Sequence, residues 1–482
     1  EMTSSLVGSE MCIRDREYIM ANSQKGKIDM TTGHIMRNII LFAIPIIIGN
    51  VLQQLYTTVD ALVIGKYCGD TSLAAVGTSS QPVEVLLCVF LGIGTGVSIL
   101  ISQYTGARES GKVVSVCGTS ITFIYIIGIP IGILGWFAAP YILEFMKVPQ
   151  DVWNAALIYT RVVFLGTLGN LGYNMNAGIL RGLGDSKASL WFLVVSCVSN
   201  IVFDLLFVAG FGMDVAGAAL STSIAMFISW IVSIVYIRKK FPEIQFTFLP
   251  RRFSGTMMKD ILAIGLPVGL NNSLYSLGHV ALQTFNNSQG AIFMAGGAVA
   301  GRITGCSNIA ITGLSSAATT FSGQNYGAKK YSRIKEGHWR VPLCSGLITL
   351  SFGLFFIMIH KPIIRFFSSD EMVLMYASRH VIVMLLSQWF YAIFNCIISI
   401  VNGTGKVRYT TIVNILMLWA VRIPSAYIIN RYFDGTWVML CFPISFSFGM
   451  FAMIGYYLFS PAWKEVMRLA ENKQNEGEQN LA

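Results

Sequence analysis

The sequence has 482 residues, of which 54% are hydrophobic and 12% are charged, and its mean hydropathy is +0.62. A soluble domain carries about a quarter charged residues, so the composition excludes a soluble protein and predicts an integral membrane protein. The formal net charge of +10 can accompany nucleic-acid binding. In a membrane protein it more often reflects Lys and Arg kept on the cytoplasmic side, and no nucleic-acid partner is expected.

The N-terminal tract, residues 1–30, differs from the rest of the chain. It has no helical pattern and no apolar core of signal-peptide length. The stretch SSLVGSEMCIRDRE within it resembles translated sequencing-adapter read-through. We therefore expect this tract to be disordered or artefactual, with a natural start at Met20 or Met30.

Twelve stretches are long and apolar enough to span a bilayer, which takes about 20 mostly apolar residues. They lie at approximately 37–61, 76–102, 113–137, 154–179, 187–210, 215–237, 260–286, 292–320, 341–360, 375–401, 408–430 and 436–459. The connections are short except for a basic, Pro-containing stretch after the sixth helix. The chain is thus predicted to be all-α, with a six-helix lobe at 31–238, a cytoplasmic linker at 239–258, a second six-helix lobe at 259–460 and a cytoplasmic tail at 461–482.

The basic residues predict the topology. Seventeen Lys and Arg residues fall in the loops after helices 2, 4, 6, 8 and 10, against five in the alternate loops. By the positive-inside rule the first set of loops, and with it both termini, is expected to be cytoplasmic. The protein is therefore predicted to be a multi-pass protein of the inner (plasma) membrane.

Three motifs recur in the two halves, 221 or 222 residues apart. They are Pro45 and Pro267 in the first helix of each half, Gly106-Ala107 and Gly327-Ala328 after the second helix, and Gly182-x-Gly184 and Gly403-x-Gly405 after the fourth. Because each half has an even number of helices, both halves insert with the same orientation. They should be related by a pseudo-two-fold axis along the membrane normal, with substrate bound in the cleft between them.

Two acidic residues stand out within the predicted spans, Asp60 in the first helix and Asp204 in the fifth. An Asp at the centre of such a helix costs roughly 2.5–3.5 kcal/mol, so an acid there is a functional candidate by default. Asn200 shares a helix face with Asp204, and both acids are expected in the outer half of the bilayer. Such a pair can hold a proton at higher pH than in water, or bind Na⁺ at Asp60, Asn200 and Asp204, and either ion could drive substrate release.

Other residues of the first helix are candidates for substrate binding and for bending. Asn50, Gln53 and Tyr56 lie on approximately the same helix face as Asp60 and are expected to line the substrate cavity. Pro45 and Pro267 should bend their helices, because proline removes a backbone hydrogen bond. The bend is either a static kink or a hinge. The cysteines are scattered singly and form no ligand pattern, so no metal site and no cofactor other than the coupling ion are predicted.

These features together resemble the multidrug and toxic compound extrusion (MATE) family, in particular its bacterial branch related to DNA-damage-inducible protein F. The similarity covers residues 31–460, and its marks are DALVIGKYCG, ISQYTGA, LRGLGDSK, SNIVFD and VAGAALST, in that order. The resemblance implies export of amphipathic, often cationic or aromatic compounds in exchange for H⁺ or Na⁺. It implies a coupling site made of Asp60, Asn200, Asp204 and Thr222, with Gln53 near the substrate cavity and Pro45 as the bending proline.

The second half departs from the pattern of many relatives, which carry an acid shortly after the Arg-Ile of the eighth helix. This chain reads Arg302-Ile303-Thr304-Gly305 there. At the repeat offset Asp60 falls opposite Ala281 or Leu282, Asn200 opposite Val421, and Asp204 opposite Ser425. A coupling site is therefore expected in the first lobe and not in the second.

Two alternatives stay open. The first is a flippase or exporter of lipid or lipid-linked oligosaccharide. Such proteins often line the cavity with several Arg and Lys residues that bind a pyrophosphate, and only Arg302 and Arg422 are candidates here, which weakens this alternative. The second is a membrane-embedded transferase, which would need a cluster of Asp, His or Glu at one membrane surface. The expected partners are small-molecule substrates and membrane lipid, and the chain is expected to be a monomer.

Overall fold

A computed structural model describes residues 27–250 and 252–479, and among these residues it contains helices and no strand. Two helices contain π-helical turns, which belong to the helices they interrupt. The helices are α1 (Ile35–Tyr67), α2 (Asp70–Gly106), α3 (Ser110–Phe145), α4 (Gln150–Leu165 and Thr167–Leu183), α5 (Ser186–Asp204, then π-helical Leu205–Gly210), α6 (Asp214–Lys240), α7 (Gly255–Asn287), α8 (Ala291–Gly327), α9 (Tyr331–Phe367), α10 (Glu371–Gly403), α11 (Val407–Ile415, π-helical Leu416–Arg422, Ile423–Tyr432), α12 (3₁₀ Gly435–Leu440 and Cys441–Phe459) and α13 (Pro461–Gln479).

Each of the twelve predicted spans corresponds to one of the helices α1 to α12. Within the described part of the chain, nine helices are long and apolar enough to cross a membrane, and α4 makes a tenth when its two segments are counted as one span. Those segments meet at a 48° bend. The bend lies at Gly166, where a Cβ would stand 2.1 Å from the Ser223 hydroxyl of α6. The remaining two, α7 and α8, carry more polar residues.

The first and seventh helices each cross from one lobe to the other at a proline, Pro45 in α1 and Pro267 in α7. Before Pro45, α1 packs into the core of the second lobe, where Ile39 and Phe42 belong to one buried cluster with Phe321. After Pro45 it lies on α5 of its own lobe, and a Cβ on Gly49 would be 3.1 Å from a Leu193 methyl. The proline therefore separates a half of α1 anchored in one lobe from a half anchored in the other.

The seventh helix repeats this arrangement with the lobes exchanged. Ile261 and Ile264, before Pro267, belong to the buried core of the first lobe, whereas Leu282 packs in a cluster of the second lobe. The match between α1 and α7 explains why a proline occurs at the same point of both repeats. It confirms the duplication as a structural feature, with two lobes that interleave through their first helices.

Glycines bring the two lobes together along α2 and α7. A Cβ on Gly92 would lie 2.1 Å from the Gly269 backbone, and one on Gly96 would lie 2.7 Å from Gly265. Small residues are the usual means by which membrane helices approach closely. The α2–α7 seam therefore depends on glycine on both sides.

The turns after α2, α4, α6, α8 and α10 lie at one end of the bundle, which we call the basic end because the Lys- and Arg-rich loops are there. The recurring Gly-x-Gly motif ends α4 and α10 at this end. Gly184 has a φ of +94° and Gly405 a φ of +84°, a backbone conformation that L side chains rarely adopt. The motif thus serves the same turn in both lobes.

The chain segments outside the twelve spans also pack on the lobes. Residues 1–26 of the predicted N-terminal tract lie outside the described residues. The rest of that tract, 27–30, runs along the basic end with Met30 fully buried, so these four residues belong to the fold. At the other terminus, α13 buries Trp463 and Val466 against the second lobe. Between the lobes, α6 ends at Lys240 and α7 begins at Gly255.

Candidate functional site

Two carboxyl groups meet inside the first lobe. Asp204 is the last residue of the α-helical part of α5 and is fully buried, and Asp60 of α1 is half-buried beside it. The two side chains are within hydrogen-bond reach of each other. Oδ1 of Asp60 and Oδ2 of Asp204 are buried, and neither receives an N–H or O–H from the described residues.

This contact cannot be stable between two bare carboxylates. An ionised carboxylate only accepts hydrogen bonds, and two of them in contact in a desolvated place repel each other strongly. A proton held between them removes the repulsion, and so does a bound metal cation. A proton shared by the two carboxyl groups, or a metal cation bound to both, is the chemistry that suits such a pair.

Neighbouring side chains of α5 and α6 complete the site. The Ser221 hydroxyl donates a hydrogen bond to Oδ1 of Asp204. The Asn200 amide donates to the Thr222 hydroxyl at 3.2 Å and to the Ser221 hydroxyl at 3.4 Å. Oδ1 of Asn200 is buried and has no donor among the described residues.

Three buried oxygen atoms without a donor thus lie in one region, one each from Asp60, Asn200 and Asp204. Oxygen ligands of this kind suit a hard cation such as Na⁺, and the carboxyl pair alone suits a proton. The structure brings together all four residues predicted for the coupling site, including Thr222, which lies beside Asn200.

Sequence reasoning missed two members of this region. Ser221 is the direct hydrogen-bond donor to Asp204, and its position next to Thr222 in the AALST stretch was an available signal. Tyr159 of α4 lies close enough to interact electrostatically with both Asp60 and Asp204. Nothing in the sequence around Tyr159 distinguishes it from the other aromatic residues of the spans.

An open cleft of about 460 Å³ lies between the lobes. On α1 it is lined by Asn50, Gln53 and other polar residues, and Asn50 donates a hydrogen bond to the Thr312 hydroxyl of α8 at 3.0 Å. The complete lining is Asn50, Gln53, Gln54, Thr57, Gly305, Asn308, Ile309 and Thr312. The cleft is therefore polar and uncharged, with one wall from each lobe.

The candidate cavity residues divide between two places. Asn50 and Gln53 line the cleft, as predicted, whereas Tyr56 packs against the core of the first lobe on the side of Asp60. The sequence did not indicate the α8 wall. Asn50 and Asp60 are ten residues apart on α1, or roughly 15 Å, so the cleft and the carboxyl pair are separate sites on one helix.

The predicted hinge, Pro45, lies nearer the start of α1 than the cleft and the carboxyl pair do. If Pro45 acts as a hinge, Pro45→Ala restores a backbone N–H donor and stiffens α1. We expect several-fold slower substrate export with unchanged substrate binding, measured as initial rate and equilibrium dye binding on the same preparation. Pro130→Ala, at a lipid-exposed position of α3, is the control. Equal export rates in both variants would show that Pro45 makes a static kink.

The equivalent region of the second lobe holds a fixed positive charge. Arg422, at the end of the π-helical turn of α11, is fully buried. Its Nε donates to the Ser445 hydroxyl at 2.9 Å, and its guanidinium lies 4.9 Å from the ring centroids of both Phe442 and Phe446. A buried guanidinium disfavours a second cation nearby, so this region of the second lobe does not favour a bound cation.

Comparison with known proteins gives a consistent result. The family model MatE matches the chain twice, over residues 45–206 and 267–428. Probable multidrug resistance protein YoeA of Bacillus subtilis is 28% identical over 455 residues, which cover 91% of this chain and 96% of that protein. Probable multidrug resistance protein YpnP of Bacillus subtilis is 26% identical and covers 92% and 99%.

Among solved structures, a crystal structure of MATE in complex with MaD3S has a TM-score of 0.83 at 24% identity, covering 94% of this chain and 99% of that chain. This likeness supports the fold of twelve helices in two lobes. The two matches of the family model fall on the two repeats seen in the sequence, and members of the family are transporters, which removes the transferase alternative. The chain therefore belongs to the MatE family, the multidrug and toxic compound extrusion transporters of the membrane.

Proposed function

We propose that this protein is a cation-coupled antiporter that exports amphipathic, often cationic or aromatic compounds. The observation that carries the proposal is the buried contact between Asp60 and Asp204, which needs a proton or Na⁺ to be stable. The names of its relatives, probable multidrug resistance proteins, support the substrate class. The uncharged polar cleft also supports it, because such a lining can accept varied ligands through volume and a few hydrogen bonds.

We further propose that the basic end faces the cytoplasm of a cell whose plasma membrane holds the protein. The excess of Lys and Arg at this end supports that orientation. The cleft and the carboxyl pair then lie toward the outside, where an ion moving down its gradient arrives. In this orientation both the N-terminal segment and α13 are cytoplasmic.

The coupling follows from electrostatics and from the placement of the sites on α1. When Asp60 and Asp204 lose their cation, they repel each other, and α1 is pushed away from α5 and α6. Because residues on the same helix line the cleft, its wall on the first lobe shifts with cation occupancy. Cation entry from outside thus favours one arrangement of α1 and substrate binding the other, which is the differential interaction that exchange requires. Alternating access completes the cycle.

Ion-driven transport of a fluorescent cationic dye in proteoliposomes tests the proposal. We expect dye movement against its gradient when a pH gradient or a Na⁺ gradient is imposed, and none after the gradient is collapsed with an ionophore. Which of the two gradients drives transport identifies the ion. Dye movement under neither gradient would refute the antiport mechanism, while leaving the membership of the family intact.

A further inference from the structure

Two glutamines join the lobes at the basic end. Nε2 of Gln103, on α2 in the first lobe, donates a hydrogen bond to the Gly403 carbonyl of α10 at 2.8 Å. Nε2 of Gln324, on α8 in the second lobe, donates a hydrogen bond to the Gly182 carbonyl of α4 at 3.2 Å. The donors are 221 residues apart and so are the acceptors, so the pseudo-two-fold axis relates one hydrogen bond to the other.

The backbones of α2 and α8 touch where these glutamines lie. A Cβ on Gly106 would stand 1.9 Å from the Gln324 carbonyl oxygen, and a Cβ on Gly327 would stand 1.8 Å from the Gln103 carbonyl oxygen. No side chain fits between helices this close. The lobes therefore cannot separate at the basic end without breaking both glutamine hydrogen bonds.

An N-terminal segment adds to this closure on one side. The Ile28 N–H donates to the Gly184 carbonyl of the first lobe at 3.0 Å. The Met30 N–H then donates to Oε1 of Gln324 at 3.0 Å, and the Asn325 amide donates to the Met30 carbonyl at 3.0 Å. The segment thus runs from one lobe to the other, and Gln324 uses its oxygen for this segment and its nitrogen for Gly182.

Residues before α7 make a related crossing in the opposite direction. The Thr122 hydroxyl of α3 donates to the Arg252 carbonyl at 3.0 Å, and the Ser254 N–H donates to the Thr119 hydroxyl at 3.2 Å. The stretch leading into the second lobe therefore rests on the first lobe. At this end each lobe is held to the other both by a glutamine and by the segment that precedes its first helix.

We propose that Gln103 and Gln324 are positioning residues of the transport cycle, a two-fold-related clasp that holds the basic end closed and must break on both sides for the lobes to open there. The role in transport rests on the proposed function, since it assigns the clasp to the transition between outward- and inward-open states. The clasp itself is a property of the lobes and can be measured without substrate or ion.

The strength of the clasp suits a reversible gate. A hydrogen bond between neutral groups contributes modestly to stability, so each one should shift the ratio of open to closed molecules roughly three- to tenfold. Two independent bonds acting on the same equilibrium should multiply their effects. Loss of Gln324 should have the larger effect, because it also releases the Met30 N–H.

Distances between spin labels across the basic end test the proposal. Lys187 of α5 and Arg408 of α11 are exposed and 221 residues apart, so labels on Lys187→Cys and Arg408→Cys, with the native cysteines replaced, report lobe separation in lipid nanodiscs. The variants are Gln103→Met and Gln324→Met, alone and together, because methionine keeps the side-chain length and removes the donor. Gln103→Ser and Gln324→Ser, too short to reach the carbonyls, replace any Met variant that does not fold.

The matched control is Lys239→Ala, at an exposed position in the last turn of α6 at the same end. We expect each single Met variant to increase the long-distance population roughly three- to tenfold, the double variant to increase it by the product, and the control to match the parent. A parent-like distance distribution in the double variant would overturn the proposal. An effect of Gln324→Met with none from Gln103→Met would refute the two-fold clasp. These distances do not depend on ion-driven transport, so failure of the antiport mechanism would be seen separately.

Discussion

Asp204→Asn is expected to abolish ion-driven export while leaving the folded protein in the membrane. Asp204 is fully buried and in contact with Asp60, and the substitution removes the negative charge that a cation would neutralise. The Ser221 hydroxyl can still donate to the amide oxygen, and the new NH₂ can donate toward Asp60. The variant is therefore expected to stay in the arrangement that the parent protein adopts when a cation is bound.

The measurement is uphill dye transport in proteoliposomes, together with dye binding to the purified protein. Loss of a coupling interaction of the usual size should reduce transport at least about tenfold, and dye binding should weaken, because the variant is held in the arrangement that competes with the substrate. Asp151→Asn, at an exposed position in the first turn of α4, should behave like the parent. Full uphill transport by Asp204→Asn would show that this carboxyl does not couple ion and substrate.

Gly327→Ala is expected to disrupt the closed basic end. A methyl group at this position would lie 1.8 Å from the Gln103 carbonyl oxygen, and the obstacle is backbone, which cannot rotate away as a side chain can. Forcing extra atoms into a packed contact typically costs about 1–3 kcal/mol. The closed state should lose at least that much relative to the open state, and thermal stability should fall with it.

Another glycine of the same helix provides the control. Gly301 of α8 has no atom within 4 Å of where a Cβ would stand, and Ala is favoured over Gly in a helix by roughly 0.5–1 kcal/mol. Thermal unfolding in nanodiscs should therefore show Gly301→Ala at or above the parent and Gly327→Ala clearly below it. Equal unfolding temperatures for the two variants would contradict the tight α2–α8 crossing. Gly106→Ala, at the two-fold-related position, should behave like Gly327→Ala.

The architecture could be predicted from the sequence because its signals are local. Apolar stretches and a repeat offset of 221 or 222 residues require no knowledge of contacts, and the structure has a helix at each of the twelve predicted stretches. The position of Pro45 in the first helix was also visible. What the sequence did not show is that α1 changes lobes there, since this depends on Phe42 packing against Phe321, a contact between residues far apart in the chain.

The candidate site was predictable to the extent that it contains polar atoms where hydrocarbon is expected. Asp60, Asn200 and Asp204 stand out for this reason, and the structure places them together. Ser221 and Tyr159 do not stand out, because hydroxyl groups are common in membrane helices and can be satisfied by the backbone. The second lobe was predicted to lack a coupling site, but the sequence did not show that Arg422 is enclosed by aromatic rings there.

The glutamine clasp shows a further limit of reading a sequence. Gln103 and Gln324 fall within the repeated segments ISQYTGA and SGQNYGA, so their equivalence was visible. Their function was not, because each bond is made to a backbone carbonyl in the other lobe and the sequence contains no sign of that acceptor. The repeated glycines were similarly visible as a motif before the close approach of α2 and α8 gave them a physical reason.

Substrate and cation are expected to compete through the Asp60–Asp204 pair. It is tested most directly by following cation release when dye is added to the purified protein at fixed pH in weakly buffered solution, with a pH indicator for H⁺ and an ion-selective electrode for Na⁺. We predict that dye binding releases H⁺ or Na⁺ from the parent protein and neither from Asp204→Asn. Dye binding without cation release from the parent, or the same release from Asp204→Asn, would contradict the account.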